Sequence, residues 1–256
     1  MAEAKYAEER RSELLRILAS AGRIDAATVA AEFGVTSETV RKDLIALENT
    51  GLLRRVHGGA VPADSHLYEP TLEARIEFSA EKQRIAHKAL EYIPNGGAAL
   101  FDAGTTTHRL VQQLPHSANF TAYVNALPLA TTLLRQPQVR VELVGGMMRA
   151  VTSAAVGDRT VHAFGGINVG VAFLGTNGIH PERGLTTPNP DEAAVKHAML
   201  ACAEQRIVLT DHSKFGLVRG VRHAELADID IIITDRDVPA EMHHEFEAAG
   251  VELVIA

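Results

Sequence analysis

Leu14, Ile17, Leu18 and Ala21 fall on one face of a helix, and Gly22 ends the run. Asp25 is placed to cap a second helix reaching Phe33, with Val29 and Phe33 four residues apart on its inner side. Gly34-Val35 reads as a tight turn. Thr36 or Ser37 then caps a third helix, predicted to end at Gly51, with Val40, Leu44 and Leu47 as its buried stripe. That stripe leaves Glu38, Lys42 and Ile45 on the opposite face, flanked by Thr39 and Arg41. A short helix, a three-residue turn and a capped helix with polar tips is the helix-turn-helix pattern. Residues 52–57 (Leu-Leu-Arg-Arg-Val-His), Gly58-Gly59 and Ala60-Val61 then read as a two-stranded ribbon turning on glycine. Such a ribbon is a wing, which sets Arg54, Arg55 and His57 beside a DNA backbone.

Residues 62–79, with Pro62 and Pro70 and little apolar periodicity, read as a joint between a 1–61 DNA-binding domain and a second domain over 80–256. Past that joint the pattern changes. A helix carrying Ile85, Ala89, Leu90 and Ile93 leads into the short apolar strand Ala98–Phe101. Further short apolar runs follow at 120–124, 139–144, 169–174, 206–209, 229–233 and 251–255. Helical stretches separate most of them, notably 191–204 and 239–249. Such alternation predicts an α/β domain whose mostly parallel sheet is covered on both faces.

Composition narrows the picture. Of 256 residues, 46% are hydrophobic and 22% charged, enough apolar residues for a sizeable core in each of two domains. No apolar run is long enough to span a bilayer, and the first six residues lack a secretory apolar stretch. A lone Cys202 excludes a disulfide framework and suits the cytoplasm; its ordinary role is a small buried residue. The net charge of −7 runs against nucleic-acid binding, and residues 1–61 hold nine Lys/Arg against nine Asp/Glu. Contact with DNA must therefore rest on where the basic residues stand. Twelve scattered histidines with no His-x-x-x-His spacing imply no metal, and no cofactor is implied.

Ligands of open α/β sheets bind beyond the carboxyl ends of the strands. Those ends are small and polar here. The first strand runs into Asp102-Ala103-Gly104-Thr105-Thr106-Thr107, followed by a helix from about His108. Gly104 would let the backbone approach a ligand, while the three hydroxyls and the helix-start amides accept a phosphate. Alone, this is equally an ordinary capped turn. Asn125, Gly145-Gly146, Gly175 and Asp211 to Lys214 end other strands, and their convergence favours a ligand site. Lys214, Lys196 and Arg149 are candidates to neutralise an anion. For Lys196 a solvated ion pair with Glu192, four residues earlier, is an equal alternative.

The segment Thr36-x-x-Thr39-Val40-Arg41-Lys42-Asp43-Leu44, continuing through Leu53-x-Arg55-Val56-His57-Gly58-Gly59-Ala60, resembles the DNA-binding signature of the DeoR family of bacterial regulators. Asp102-x-Gly104-Thr105-Thr106-Thr107, Asn125-x-Leu127, Gly145-Gly146-x-x-Arg149, Ala172-Phe173-Leu174-Gly175-x-x-Gly178-Ile179, Lys196-x-x-Met199 and Asp211-x-Ser213-Lys214-Phe215-Gly216 resemble its sensor domain. The likeness runs from about Arg10 to Asp235. It implies a repressor of a sugar or polyol catabolic operon, bound to double-stranded operator DNA as a homodimer or homotetramer and released by a phosphorylated sugar or polyol. It also implies a sensor fold similar to ribose-5-phosphate isomerase. Lys42 stands where the family usually has Arg, which keeps a positive charge and loses a bidentate fork. Asn168 stands where an Asp is common.

Thr36, Ser37, Thr39, Arg41, Lys42, Arg54, Arg55 and His57 are therefore the expected DNA-facing residues. The expected effector site comprises Asp102, Gly104, Thr105, Thr106, Thr107, Asn125, Gly145, Gly146, Arg149, Gly175, Lys196, Asp211 and Lys214. The chief alternative is a sugar-phosphate isomerase or deaminase fused to a DNA-binding module. Isomerases of this kind need a carboxylate base in the loop corresponding to Leu174-Gly175-Thr176-Asn177-Gly178, which has none, although Asp102 and Asp211 remain. A dinucleotide sensor would need a Gly-x-Gly-x-x-Gly after a strand, and there is none.

Overall fold

The computed structural model describes residues 7–49, 52–62, 69, 72, 75, 78–236, 238 and 240–256. The chain divides into two compact units, Met1–Tyr68 and Glu69–Ala256. Most of the expected joint, Pro70 included, and the expected helix end at Gly51 lie outside the described residues.

The first unit runs α1 (Ala7–Ala21), β1 (Ile24–Asp25), α2 (Ala26–Phe33), α3 (Ser37–Asn49), β2 (Leu53–Val56) and β3 (Gly59–Pro62). Asp25 caps α2, its carboxylate accepting from Thr28 N at 2.8 Å, and Gly34 ends that helix in the left-handed region at φ 65°. Leu14, Leu18, Val29, Phe33, Val40, Leu44 and Leu47 close one core. The ribbon has a third strand, since β1 pairs antiparallel with β3. This separates the two glycines of the turn. Gly58 is left-handed at φ 78°, whereas a Cβ on Gly59 would sit 1.7 Å from the carbonyl oxygen of Ile24. Gly59 is there for close approach of backbones, not for a positive φ.

The second unit contains α4 (Ser79–Ala89), β4 (Ala98–Phe101), α5 (Thr105–Gln112), β5 (Phe120–Val124), α6 (Leu127–Leu133) and β6 (Val139–Leu143). It continues through β7 (Met147–Arg149), β8 (Ala154–Val156), α7 (Asp158–Phe164), β9 (Val169–Leu174), β10 (Gly178–His180), β11 (Gly184–Thr187) and α8 (Pro190–Ala201). The last elements are β12 (Ala203–Leu209), β13 (Val221–Ala224), β14 (Ile231–Thr234), α9 (Ala240–Ala248) and β15 (Glu252–Ile255). Seven strands form one sheet in the order β15-β14-β12-β9-β4-β5-β6, and every neighbouring pair is parallel. Alternate residues of one strand serve opposite faces: Ala99 and Phe101 join one core, Leu100 the other. The sequence pattern missed the β7–β8 hairpin and the antiparallel sheet β10-β11-β13. Helix α8 stops at Ala201, short of the expected residue 204, because β12 begins at Ala203.

The winding order sets the site. From β4 the chain adds β5 and β6 on one side, then returns to place β9, β12, β14 and β15 on the other. The crevice at such a reversal lies between the carboxyl ends of β4 and β9.

Candidate functional site

In the first unit, Ser37, Glu38, Arg41 and Lys42 are exposed along α3, opposite buried Val40 and Leu44. Thr36, the residue before the helix, is its cap: its hydroxyl accepts from Thr39 N at 3.2 Å and lies 2.8 Å from Thr39 Oγ1. Arg10 and Arg11 converge on buried Asp43 at 2.8 and 3.1 Å, tying α1 to α3. On the wing His57 is exposed in the turn and Arg54 is half-buried. Arg55 is held differently from Arg41. Its Nε donates to Glu48 at 2.5 Å and its backbone N–H to the same carboxylate at 2.8 Å. These hydrogen bonds, led by that of the Arg55 side chain, lower the Glu48 pKa.

In the second unit, Asp102 and Gly175 stand at the winding reversal, immediately beyond β4 and β9. Asp102 is buried, and its Oδ2 accepts from Gly175 N at 3.1 Å and from the Lys196 ammonium. Lys196 also donates to the Gly175 carbonyl at 2.9 Å. This overturns the solvated pair with Glu192. Lys196 and Glu192 are both buried, and the carboxylate of Glu192 accepts from Arg149 at 3.0 Å and Thr152 at 2.7 Å instead. Burial and the nearby Glu69 carboxylate push Glu192 up from the ordinary carboxylate range.

Arg149 is spanned by two carboxylates, its Nη1 lying 2.7 Å from Glu69 as well. Glu69 binds Arg75 too, and accepts from Asn177 Nδ2 at 3.3 Å. The Arg75 carbonyl accepts from Lys82 Nζ at 3.3 Å, and Lys82 stands 4.0 Å from Asp211. Burial brings the Lys82 ammonium down to about 8 although Asp211 opposes the shift; the nearby cations Lys214, Arg109 and Arg75 lower it further. Asp211 accepts from the Ser213 hydroxyl, to which Lys214 donates at 3.0 Å. Acids and bases thus form two linked groups, Asp102 with Lys196, and Glu192 through Arg149, Glu69, Arg75 and Lys82 to Asp211 and Lys214. The charge of Lys196 acts on Glu192 between them.

The loop after β4 differs from its expected form. Helix α5 starts at Thr105, so the three threonines form its first turn. Thr107 is fully buried and donates to the carbonyls of Asp102 at 2.7 Å and Gly104 at 3.0 Å, which turns its hydroxyl inward. Gly104 is extended at φ 178°, with no strain, and a Cβ there would meet Thr107 Oγ1 at 3.1 Å. Thr106 is buried and Thr105 half-buried. Asn125 donates to the Ala155 carbonyl at 2.9 Å, leaving its buried Oδ1 without a partner. Gly146 serves packing, since a Cβ would lie 1.9 Å from Thr160 Oγ1; Gly145 offers its carbonyl to that hydroxyl at 3.1 Å.

Sequence reasoning missed Glu69, Arg75, Lys82 and Glu192. Lys82 carried a signal, because it falls on the helical stripe of Ile85, Ala86 and Ala89, where a charge is out of place. Glu192 sits three residues after the Asn189 cap. Glu69 and Arg75 lie in a stretch without periodicity and gave none. A depression of about 570 Å³ along α4, lined by Gln83, His87, Gln113 and Ile255 among others, holds no residue of this network.

Residues 10–66 match the DeoR-like helix-turn-helix domain and residues 77–236 the DeoR C terminal sensor domain. The chain is 35% identical over 247 residues to the HTH-type transcriptional regulator GlpR of Haloferax volcanii, covering 96% of each. It is 28% identical to the glycerol-3-phosphate regulon repressor of Escherichia coli, covering 91% of this chain and 93% of the relative. Among solved structures, ribose 5-phosphate isomerase A of Methanocaldococcus jannaschii aligns at a TM-score of 0.39 and 13% identity, over 52% of this chain and 53% of that one.

Proposed function

The chain belongs to the DeoR family of transcriptional regulators, and on that premise we propose that it represses a sugar or polyol catabolic operon and is released from its operator by a phosphorylated metabolite. It is a regulator and not an enzyme, as its relatives are named regulators and repressors. Arg41 and Lys42 on α3, with Ser37 and Thr39 at its start, meet the operator; Arg54, Arg55 and His57 flank it on the wing. The working unit is a homo-oligomer, since paired half-sites are read by symmetric proteins. The reading places the protein in the cytoplasm.

One observation carries the effector reading: the buried Asp102–Lys196 pair at the crevice where the sheet reverses its winding, with a second group of paired cations and carboxylates and an orphaned buried acceptor, Asn125 Oδ1, in the same unit. A phosphate brings negative charge to Lys196, Arg149, Lys82 and Lys214 and meets the first turn of α5 at Thr105 and Thr106. A sugar or polyol hydroxyl supplies the donor that Asn125 Oδ1 lacks. Glu69 now holds Arg149 and Arg75, and it is the first residue of the second unit. An incoming phosphate competes with that carboxylate, so effector binding is coupled to the segment leading to the DNA-binding unit. Release then requires the effector to prefer the state that does not bind DNA.

The test is a melting-temperature screen against phosphorylated sugars and polyols, followed by operator titration with each stabilising compound. A phosphorylated compound should raise Tm and release DNA, and its unphosphorylated form should do neither at the same concentration. Thr106→Val and Lys214→Ala should keep operator affinity and lose the response. Equal responses to both forms of the compound would remove the phosphate from the reading.

A further inference from the structure

We propose that β6, at the edge of the seven-stranded sheet, is a self-complementary surface that pairs antiparallel with β6 of a second copy of this chain about a two-fold axis through Val141. This names a surface for the homo-oligomer read above; it does not depend on the effector.

Among the described residues, β6 pairs only with β5, in a parallel ladder from Phe120 and Val139 to Val124 and Leu143. Val144 N donates to Val124 O at 2.7 Å, so its amide faces β5. By strand alternation Glu142 and Arg140 face β5 as well, while the N–H and C=O groups of Val139, Val141 and Leu143 point to the open side. These are the groups a further strand would take up. An edge of five residues without proline or bulge invites one.

The side chains say which strand fits. In an antiparallel pair centred on Val141, that residue faces its own copy and Val139 faces Leu143. These are the hydrogen-bonded positions, in agreement with the groups that point outward. Between them Arg140 falls opposite Glu142 of the second copy, twice, at the closer non-hydrogen-bonded positions. Within one chain Arg140 Nε and Glu142 Oε1 already lie 3.7 Å apart, and the side chains are 78% and 50% exposed. A pair of lysines here would protect the edge by repelling a second copy; an arginine and a glutamate placed symmetrically about Val141 attract one. The other face agrees. Val139 and Val141 pack on the core, whereas Leu143 is 49% exposed and would be covered by the second copy's valine. Leu134, just past the end of α6, which packs on β6, is another uncovered apolar group, 72% exposed.

The test is sedimentation equilibrium on the full-length chain and three variants, each checked for an unchanged circular dichroism spectrum. Arg140→Glu and Glu142→Arg each set like charges opposite each other twice, and should weaken self-association at least about tenfold. The double swap restores opposite charges and should restore association. Mixing the two single variants should give a heterodimer, because one then carries two acidic and the other two basic positions. If the wild type is a tetramer, the single variants should fall to a smaller species. Wild-type association in both single variants, or failure of the double swap to rescue, overturns the β6 surface and leaves the homo-oligomer reading standing. A wild type that remains monomeric overturns both, and leaves the edge to another protein's strand or to solvent.

Discussion

Arg41 and Arg55 look alike in the sequence, yet different partners surround them. Arg41 is exposed on the outer face of α3, whereas Arg55 is tied to Glu48 by its side chain and backbone. Meeting a phosphate costs Arg55 that pair, which offsets part of the gain. Arg41→Ala should therefore weaken operator binding by about 1–3 kcal/mol and Arg55→Ala by less. Fluorescence anisotropy on operator DNA checks the order; a larger loss at Arg55 would mean that the Glu48 pair opens freely. Lys82 makes a second prediction through its proton. Its ammonium titrates at about 8 when folded, against an ordinary 10.5, chiefly because it is buried. Between those values the unfolded chain keeps a proton that the native protein has lost, so stability rises with pH across that window. Below it, the burial cost is present in full. Lys82→Met should flatten this rise, and in wild type effector affinity should fall as pH passes about 8. Parallel Tm-against-pH curves for the two proteins would show that Lys82 is solvated.

At the scale of elements, what was legible followed from periodicity. Apolar residues placed all seven strands of the parallel sheet: inner strands such as β9 and β14 are written in nearly continuous apolar residues, while edge strand β6 alternates between covered valines and exposed charges. The β7–β8 hairpin and the β10-β11-β13 sheet escaped because their strands are three or four residues long and, apart from the apolar Ala154–Val156, contain glycine or mix polar with apolar residues, so no period emerges. Glycines were recognised as special, but the reason each one is needed depends on neighbours distant in sequence. Gly104 and Gly59 do not occupy the left-handed region; a side chain on Gly59 meets the backbone of β1. Gly59→Ala should therefore separate β3 from β1, destabilise the first unit by about 1–3 kcal/mol and weaken operator binding. The second unit should keep its effector-induced rise in melting temperature. Differential scanning calorimetry with and without effector separates the two effects, and an unchanged operator affinity would mean that the wing does not meet DNA.

For the whole molecule, the strand-end residues read from the sequence were mostly half of a pair. Lys196, Arg149 and Asp211 were visible, but Asp102 was not tied to Lys196, and Glu69, Arg75 and Lys82 were unseen, because pairs such as Asp102–Lys196 and Arg149–Glu69, 94 and 80 residues apart, leave no local pattern. Arg149 joins two carboxylates that lie 80 and 43 residues away in the chain. On the proposed effector reading, the contacts that bear on regulation are those of Glu69 with Arg149 and Arg75. Glu69→Gln removes the negative charge that an effector phosphate must displace, and leaves a side chain of the same size that still hydrogen-bonds. Effector affinity should rise roughly tenfold, the scale of one charge-assisted contact no longer competing. Operator release should then occur at correspondingly lower effector concentration. The same change loosens the anchor of the segment that enters the second unit, so some release should appear without effector. Calorimetric titration gives the first quantity and operator binding without effector the second. Weaker effector binding in Glu69→Gln would mean that the carboxylate orients Arg149 for the ligand instead of competing with it, and the coupling would then run through Glu192 and α8.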